Sequence, residues 1–399
     1  MAIKISNRAK AIKQSPTMAV SALANKMKAD GIDVINFGVG EPDFDTPDYI
    51  KEAGKKAIDD NFTRYTASAG ILELREAIAA KLKRDNDLIC DPKDILVSPG
   101  AKASIINVLM AICDPRDEVL IPSPYWVSYT SQVEMVDALP VLLPTTISNN
   151  FKIKPKQLEE RILELSNPKA IILNSPNNPT GSVYSRKELV KIAEICLKYN
   201  ILIISDEIYE KLIYDDVKHI SIASISDETR DITVLINGVS KAYAMTGWRL
   251  GYSAGPRDII KKASQIQGHT TSCVNAMTQK ASIVALSECD GSVTTMRAEF
   301  QKRRNYLVEK LNEIENVKCL MPKGAFYAFP NISHYLTHNT KGIKNSVELC
   351  EYLLENYHIA IVPGMAFGAG KYVRFSYANS MDNIKKGVNQ FKKGLMSLL

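Results

Sequence analysis

Residues 233–254 read TVLINGVSKAYAMTGWRLGYSA, and this stretch decides the layout of the chain. An aliphatic run at 233–237 leads into a turn-rich segment carrying Lys241 and Arg249, and a second run follows at 250–254. Runs that are apolar on nearly every residue, without polar alternation, suit strands covered on both faces. Working upstream, the same texture recurs at Ile95–Ser98, 118–121, 170–174 and 201–205. Between the runs lie longer amphipathic stretches, including 101–113, 185–199 and 258–267. The alternation predicts an α/β fold with a mostly parallel, doubly wound sheet. Ser185 followed by Glu188 is the signature of a capping box opening one crossover helix.

Past about residue 290 the texture changes to a long charged helix over 294–312, short strand-like pieces at 325–330, 360–362 and 372–376, and a closing helix from about Asp382. This predicts a smaller α+β domain at 291–399, a large domain at 46–290, and an N-terminal segment, 1–45, joining the small domain. The length of 399 residues suits such a division.

Composition excludes several classes. Hydrophobic residues at 45% and charged residues at 24% are ordinary for a globular chain. The excess of 50 Lys and Arg over 44 Asp and Glu is spread along the sequence, so no nucleic-acid partner is expected. Seven scattered cysteines without paired spacing indicate a reducing, cytoplasmic setting, and with only five histidines and no metal-binding motif no metal is expected. No apolar run reaches the roughly 20 residues of a membrane helix. Residues 1–29 hold six basic and no acidic residues, a transit-like feature, but few Ser and one Arg argue for their staying on the mature protein.

Lys241 follows a buried-type strand. An unperturbed lysine titrates at roughly 10.4, and removal from water lowers that value, giving the neutral amine that attacks an aldehyde. Arg249 offers a fixed charge suited to phosphate. Judged singly, Lys241 also reads as an exposed lysine at a strand end, and Asp206, closing the run 201–205, as a helix N-cap. Gly100-Ala101-Lys102 falls at a strand-to-helix turn, where backbone N–H groups can face an anion.

Taken together these segments resemble the fold-type I, class I aminotransferases that use pyridoxal 5′-phosphate. The resemblance rests on SKAYAMTGWRLGY at 240–252 together with VGEPDF (39–44), RYTASAG (64–70), SPGAK (98–102), SPYWVSY (123–129), NSPNNPTG (174–181), SDEIYE (205–210) and VRFSYA (373–378). Their order and spacing match from about residue 5 to the end. The resemblance implies that Lys241 carries the cofactor, Asp206 lies beneath its pyridine nitrogen, Tyr209 and Asn178 face its phenolic oxygen, and Trp126 stacks on its ring. Gly100, Ala101, Lys102, Ser240 and Arg249 would surround the phosphate, and Tyr65 would reach the phosphate of a neighbouring subunit in a homodimer. Gly238 stands where some relatives carry a phosphate-binding serine.

For substrate, the resemblance assigns the α-carboxylate to Arg374 and the Gly40 amide, with Asn178 and Trp126 alongside. Lys102 matches the residue that binds the distal carboxylate of aspartate or glutamate, or else it only neutralises the phosphate. Lys13 and Thr17 fall in an N-terminal segment that closes over substrate, and the bacterial subgroup resembled includes enzymes that also accept prephenate. The implied reaction is a ping-pong transamination between amino acids and 2-oxo acids. The alternatives are an aromatic or broad-specificity aminotransferase, a lyase on the same fold, and a cofactor-sensing module, the last disfavoured because no room remains for a DNA-binding domain.

Overall fold

The computed structural model describes residues 3–6, 9–10, 12, 16–287 and 290–399. After a helix at Pro16–Ala29 comes a two-residue strand, β1 (Ile35–Asn36). Seven strands form the central sheet: β2 (Ile95–Ser98), β3 (Glu118–Ser123), β4 (Leu139–Pro144), β5 (Pro168–Asn174), β6 (Leu202–Asp206), β7 (Thr233–Gly238) and β8 (Gly251–Ala254). Their spatial order is β2-β8-β7-β6-β5-β3-β4. Only β8 runs antiparallel to its neighbours, so the sheet is mixed but mostly parallel.

The period of two along these strands explains why they must be apolar throughout. Leu96, Val119, Ile121, Ile172, Ile204, Val234 and Ile236 feed one core, with Ile105, Val108 and Leu109 of the helix Ala101–Ile112 packed over them. The residues between them point the other way. Ile95, Val97 and Leu235 meet Leu74, Ile78 and Leu82 of the helix Leu72–Asn86, while Leu120, Ile171, Leu173 and Ile203 meet Leu189 and Ile192 of the helix Arg186–Lys198. Both faces are covered, as a parallel sheet requires. Ser185 and Glu188 form the expected reciprocal cap.

The strand missing from the sequence-based layout is β4, which alternates exposed and buried residues and carries Pro140 and Pro144. It is an edge strand, where one flank needs no ladder and proline is tolerated.

Beyond the helix Ser292–Asn312, strands β9 (Tyr327–Ala328), β11 (Val362–Pro363) and β12 (Val373–Ser376) make a small antiparallel sheet. The expected piece at 360–362 divides, because β10 (Ile359–Ala360) pairs in parallel with β1 rather than with the small sheet. Ile35 and Phe37 are buried in the same core as Phe300, Phe375 and Phe391, the last on the closing helix Met381–Met396. Among the described residues, no helix is long and apolar enough to cross a membrane.

Candidate active site

The parallel strands all end on one rim of the central sheet. Asn174 and Asp206 are the last residues of β5 and β6, Lys241 lies three residues after β7, and Arg249 comes just before the antiparallel β8. A crevice at the carboxyl ends of strands is where an open α/β sheet offers a binding site. Here a cavity of about 640 Å³ opens between that rim, the segment after β1, and β9 and β12.

The Lys241 amine donates to the main-chain oxygen of Gly40 at 2.7 Å. Burial is the main cause that brings its ammonium down to about 8; Glu41 resists, and the nearby Arg249 and Arg374 add to the fall. A lysine so depressed supplies neutral amine near pH 8, where an exposed one would hold its proton up to roughly 10.

Asp206 is buried at the end of β6. Its Oδ2 accepts from the Tyr129 hydroxyl at 2.6 Å and its Oδ1 from the Ile208 amide at 3.2 Å. Burial nevertheless pushes the carboxyl up to about 6. Asn174 steadies two neighbours: its Nδ2 donates to the Asp206 main-chain oxygen at 2.9 Å, and its Oδ1 accepts from the Asn178 amide at 2.9 Å. The Tyr209 hydroxyl lies 3.0 Å from that of Tyr327, and the Lys241 ammonium stands 6.0 Å from the centre of the Tyr209 ring.

Cations stand on both walls of the cavity, Arg249 and Lys102 at the rim of the central sheet and Arg374 on β12. Arg249 donates to the Thr246 main-chain oxygen at 2.9 Å, and Lys102 stands 5.0 Å from the Trp126 ring centre. Burial, then the charge of Arg249, lowers the affinity of Lys102 for its proton. On the other wall, Arg374 is 3% exposed. Its Nη1 donates to Asn178 Oδ1 at 3.0 Å and its Nη2 to the Gly38 main-chain oxygen at 2.9 Å, while its Nε has no hydrogen-bond partner among the described residues. The guanidinium lies 4.4 Å from the ring centre of Tyr327.

Of the residues singled out from sequence, Gly40, Ala101, Lys102, Trp126, Asn178, Asp206, Tyr209, Ser240, Lys241, Arg249 and Arg374 line this one cavity. Gly100 stands directly behind it, at the N-cap of the helix Ala101–Ile112. Gly40 offers its carbonyl to Lys241. Tyr65 lies outside the cavity and is 92% exposed. Lys13 lies outside the described residues, and of Thr17 only its place in the helix Pro16–Ala29 is described. Sequence reasoning missed Tyr129, Asn174, Glu41, Thr246 and Tyr327, which also line the cavity. Four of them lie inside quoted segments, but nothing in a linear pattern shows that Tyr129 reaches across to Asp206.

Residues 32–391 match the family model described as aminotransferase class I and II. The chain belongs to this family. Among curated relatives, the bifunctional aspartate aminotransferase and glutamate/aspartate-prephenate aminotransferase of Petunia hybrida is 48% identical, over 99% of this chain and 84% of the relative. The aspartate aminotransferase of Bacillus subtilis (strain 168) is 44% identical over 98% of both chains. Among solved structures, the aspartate aminotransferase from Rhizobium meliloti superposes with a TM-score of 0.95 at 38% identity, covering 100% of both chains. That from Thermus thermophilus with maleate gives 0.92 at 36% identity, covering 98% of this chain and 100% of the other. The α/β class and the aminotransferase resemblance read from the sequence both stand.

Proposed function

We propose that this aminotransferase moves the amino group between L-aspartate or L-glutamate and 2-oxoglutarate or oxaloacetate in two half-reactions, with pyridoxal 5′-phosphate as cofactor and prephenate as a further acceptor. The observation that carries the reading is the placement of the Lys241 amine in one cavity with a buried carboxylate, Asp206, and cations on both walls. The relatives named for aspartate and prephenate support the choice of substrate.

The residues fit the cofactor. A Cβ at Gly100 would stand 2.6 Å from Arg249 Nη2, so the glycine keeps open a cradle beside that guanidinium. The cofactor, when bound, supplies an aldehyde that takes up amines and a ring that draws electrons away from the adjacent carbon. Lys241 would hold it through Nζ and, once released as a neutral amine, take the proton from the substrate Cα. Asp206 would face the ring nitrogen, and a cation there would bring its carboxyl below about 6 and keep it ionised. Tyr209 and Asn178 would face the phenolic oxygen and Trp126 the ring, with Arg249, Ser240 and the turn at Gly100, Ala101 and Lys102 around the phosphate. Arg374 would exchange its bonds to Gly38 and Asn178 for the α-carboxylate in a two-pronged contact. Lys102 would take the distal carboxylate, with Lys13 and Thr17 in the segment that covers it.

The division into 1–45 with 291–399 and 46–290 belongs to the same reading, supported by the burial of Ile35 and Phe37 among C-terminal residues. So do a homodimer in which the exposed Tyr65 serves the neighbouring subunit, and a cytoplasmic setting, which the six free cysteines among the described residues support.

The test is a half-reaction: cofactor-loaded protein is mixed separately with L-aspartate, L-glutamate and L-phenylalanine while the cofactor absorbance is followed. Rapid conversion by the two dicarboxylic amino acids is expected, with prephenate then tested as acceptor. Conversion by phenylalanine alone would overturn the specificity, and conversion by none of them would overturn the transaminase reading.

A further inference from the structure

Tyr327 belongs to the small sheet yet enters the cavity opposite Lys241, and it touches two residues with separate duties. Its hydroxyl lies 3.0 Å from the Tyr209 hydroxyl, and its ring lies under the Arg374 guanidinium, centre to centre 4.4 Å. It is 1% exposed, clamped edge-on to Tyr209 with ring centres 5.9 Å apart and against Phe326 at 4.7 Å. The ring therefore has little freedom to turn away.

The protons can be counted. Each phenol has one hydrogen to donate and can accept through oxygen. Either tyrosine can be the donor while the pair is alone. If the Tyr209 hydrogen is spent on the cofactor's phenolic oxygen, the pair survives only with Tyr327 donating to Tyr209. A phenol that accepts a hydrogen bond donates a stronger one, because the two bonds polarise each other.

We propose that Tyr327 is a positioning residue that aims the Tyr209 hydroxyl proton at the cofactor's phenolic oxygen and, through the stack on Arg374, ties that donor to the substrate-carboxylate site. The inference rests on the proposed use of pyridoxal 5′-phosphate, and deepens it. Other charged or titratable groups around the pair are Arg374 and Asp206 near Tyr209, Arg374 and Glu41 near Tyr327, and Lys241 above the Tyr209 ring. All are kept in the variants below.

The experiment is a pH titration of the visible absorbance of cofactor-loaded protein, with maleate binding measured on the same samples. Tyr327→Phe keeps the ring and removes only the hydroxyl. A weaker donor leaves more charge on the phenolic oxygen, so the titration midpoint is expected to rise by about half a pH unit, the size of a modest cooperative gain on one charged hydrogen bond. Maleate affinity should stay within about twofold, since the stack persists, whereas Tyr327→Leu should both raise the midpoint and weaken maleate about fivefold. Tyr209→Phe should raise the midpoint further, and adding Tyr327→Phe to it should change nothing more, because Tyr327 acts through Tyr209.

A Tyr327→Phe midpoint equal to the parent's, or additive shifts in the double variant, would overturn the proposal. Circular dichroism checks the fold of each variant, and Tyr209→Phe keeps the question answerable if Tyr327→Leu does not fold. Failure of the parent protein to take up pyridoxal 5′-phosphate would instead refute the cofactor assignment.

Discussion

Glu210 lies four residues after Asp206 and is not part of the cavity lining, and its replacement by methionine isolates the cost of a buried charge. Its carboxylate pairs with the Lys81 ammonium, with side chains 6% and 2% exposed. Asn86 closes the group, accepting from Lys81 and donating to Glu210, each at 2.6 Å. Glu210→Met leaves Lys81 buried with Asn86 and, at 3.9 Å, Asp85 as its remaining oxygen partners. Stranding one member of a buried pair costs about 3–5 kcal/mol. With an unfolding entropy near 2.1 cal/mol/K per residue, a chain of this length loses about 0.8 kcal/mol per degree, so Tm should fall by about 4–6 °C. Scanning calorimetry of the cofactor-free protein measures it. The double variant Lys81→Met/Glu210→Met removes both charges and should recover most of the loss. A drop below about 1 °C for Glu210→Met, or a double variant no better than the single, would refute the reasoning.

The same pair fixes a pH dependence. Burial raises the Glu210 carboxyl, but the charges of Lys81 and His219 and the bonds from Lys81 and Asn86 outweigh it and hold the group below its ordinary range. A carboxyl depressed on folding stabilises fully above its unfolded value of roughly 4.3, and that contribution disappears as pH falls through the folded value. The Tm difference between parent and Glu210→Met should therefore shrink below about pH 4, and it should also narrow on the alkaline side as His219, whose proton Glu210 helps to hold, is deprotonated.

Two further outcomes concern the cavity. The rate at which cofactor-free protein takes up pyridoxal 5′-phosphate should rise with pH about a midpoint near 8, the value set for Lys241 by burial; a midpoint near 10 in stopped-flow absorbance would show the amine to be solvated. Gly100→Ala puts a Cβ 2.6 Å from Arg249 Nη2 at a residue with φ of 89° and ψ of 157°. It should cost about 1–3 kcal/mol and weaken cofactor retention at least tenfold in equilibrium dialysis, and unchanged retention would remove Arg249 from the phosphate site.

The strands of the central sheet were legible where burial on both faces forces apolarity, as in β2, β5 and β7, and illegible where it does not. Edge strand β4 carries two prolines and three exposed residues, a pattern no strand rule favours. The two-residue strands β1 and β10 are too short to show any period and exist through pairing with each other. Among the residues lining the cavity, those with a charge or a motif of their own could be picked out from the sequence: Lys241, Asp206, Arg249, Arg374. Those that act on other side chains could not. Tyr129 and Asn174 earn their places only through Asp206 and Asn178, and contacts of that kind across the fold leave no trace in spacing.

The pairing of β1 with β10 has a consequence for how the molecule is made. Strands β2 to β8 can assemble once the chain has been synthesised to Ala254. Ile35 and Phe37 must wait for β10, β12 and the helix Met381–Met396, all of which are synthesised after the sheet. From Ala254 to Met396, at 5–20 residues per second, the interval is roughly 7–28 s. During it the N-terminal segment has no finished core to join, and Arg374 has not yet been added to its wall of the cavity. A nascent chain can therefore carry Lys241 at the rim of the sheet well before β12 brings Arg374 to the other wall of the cleft.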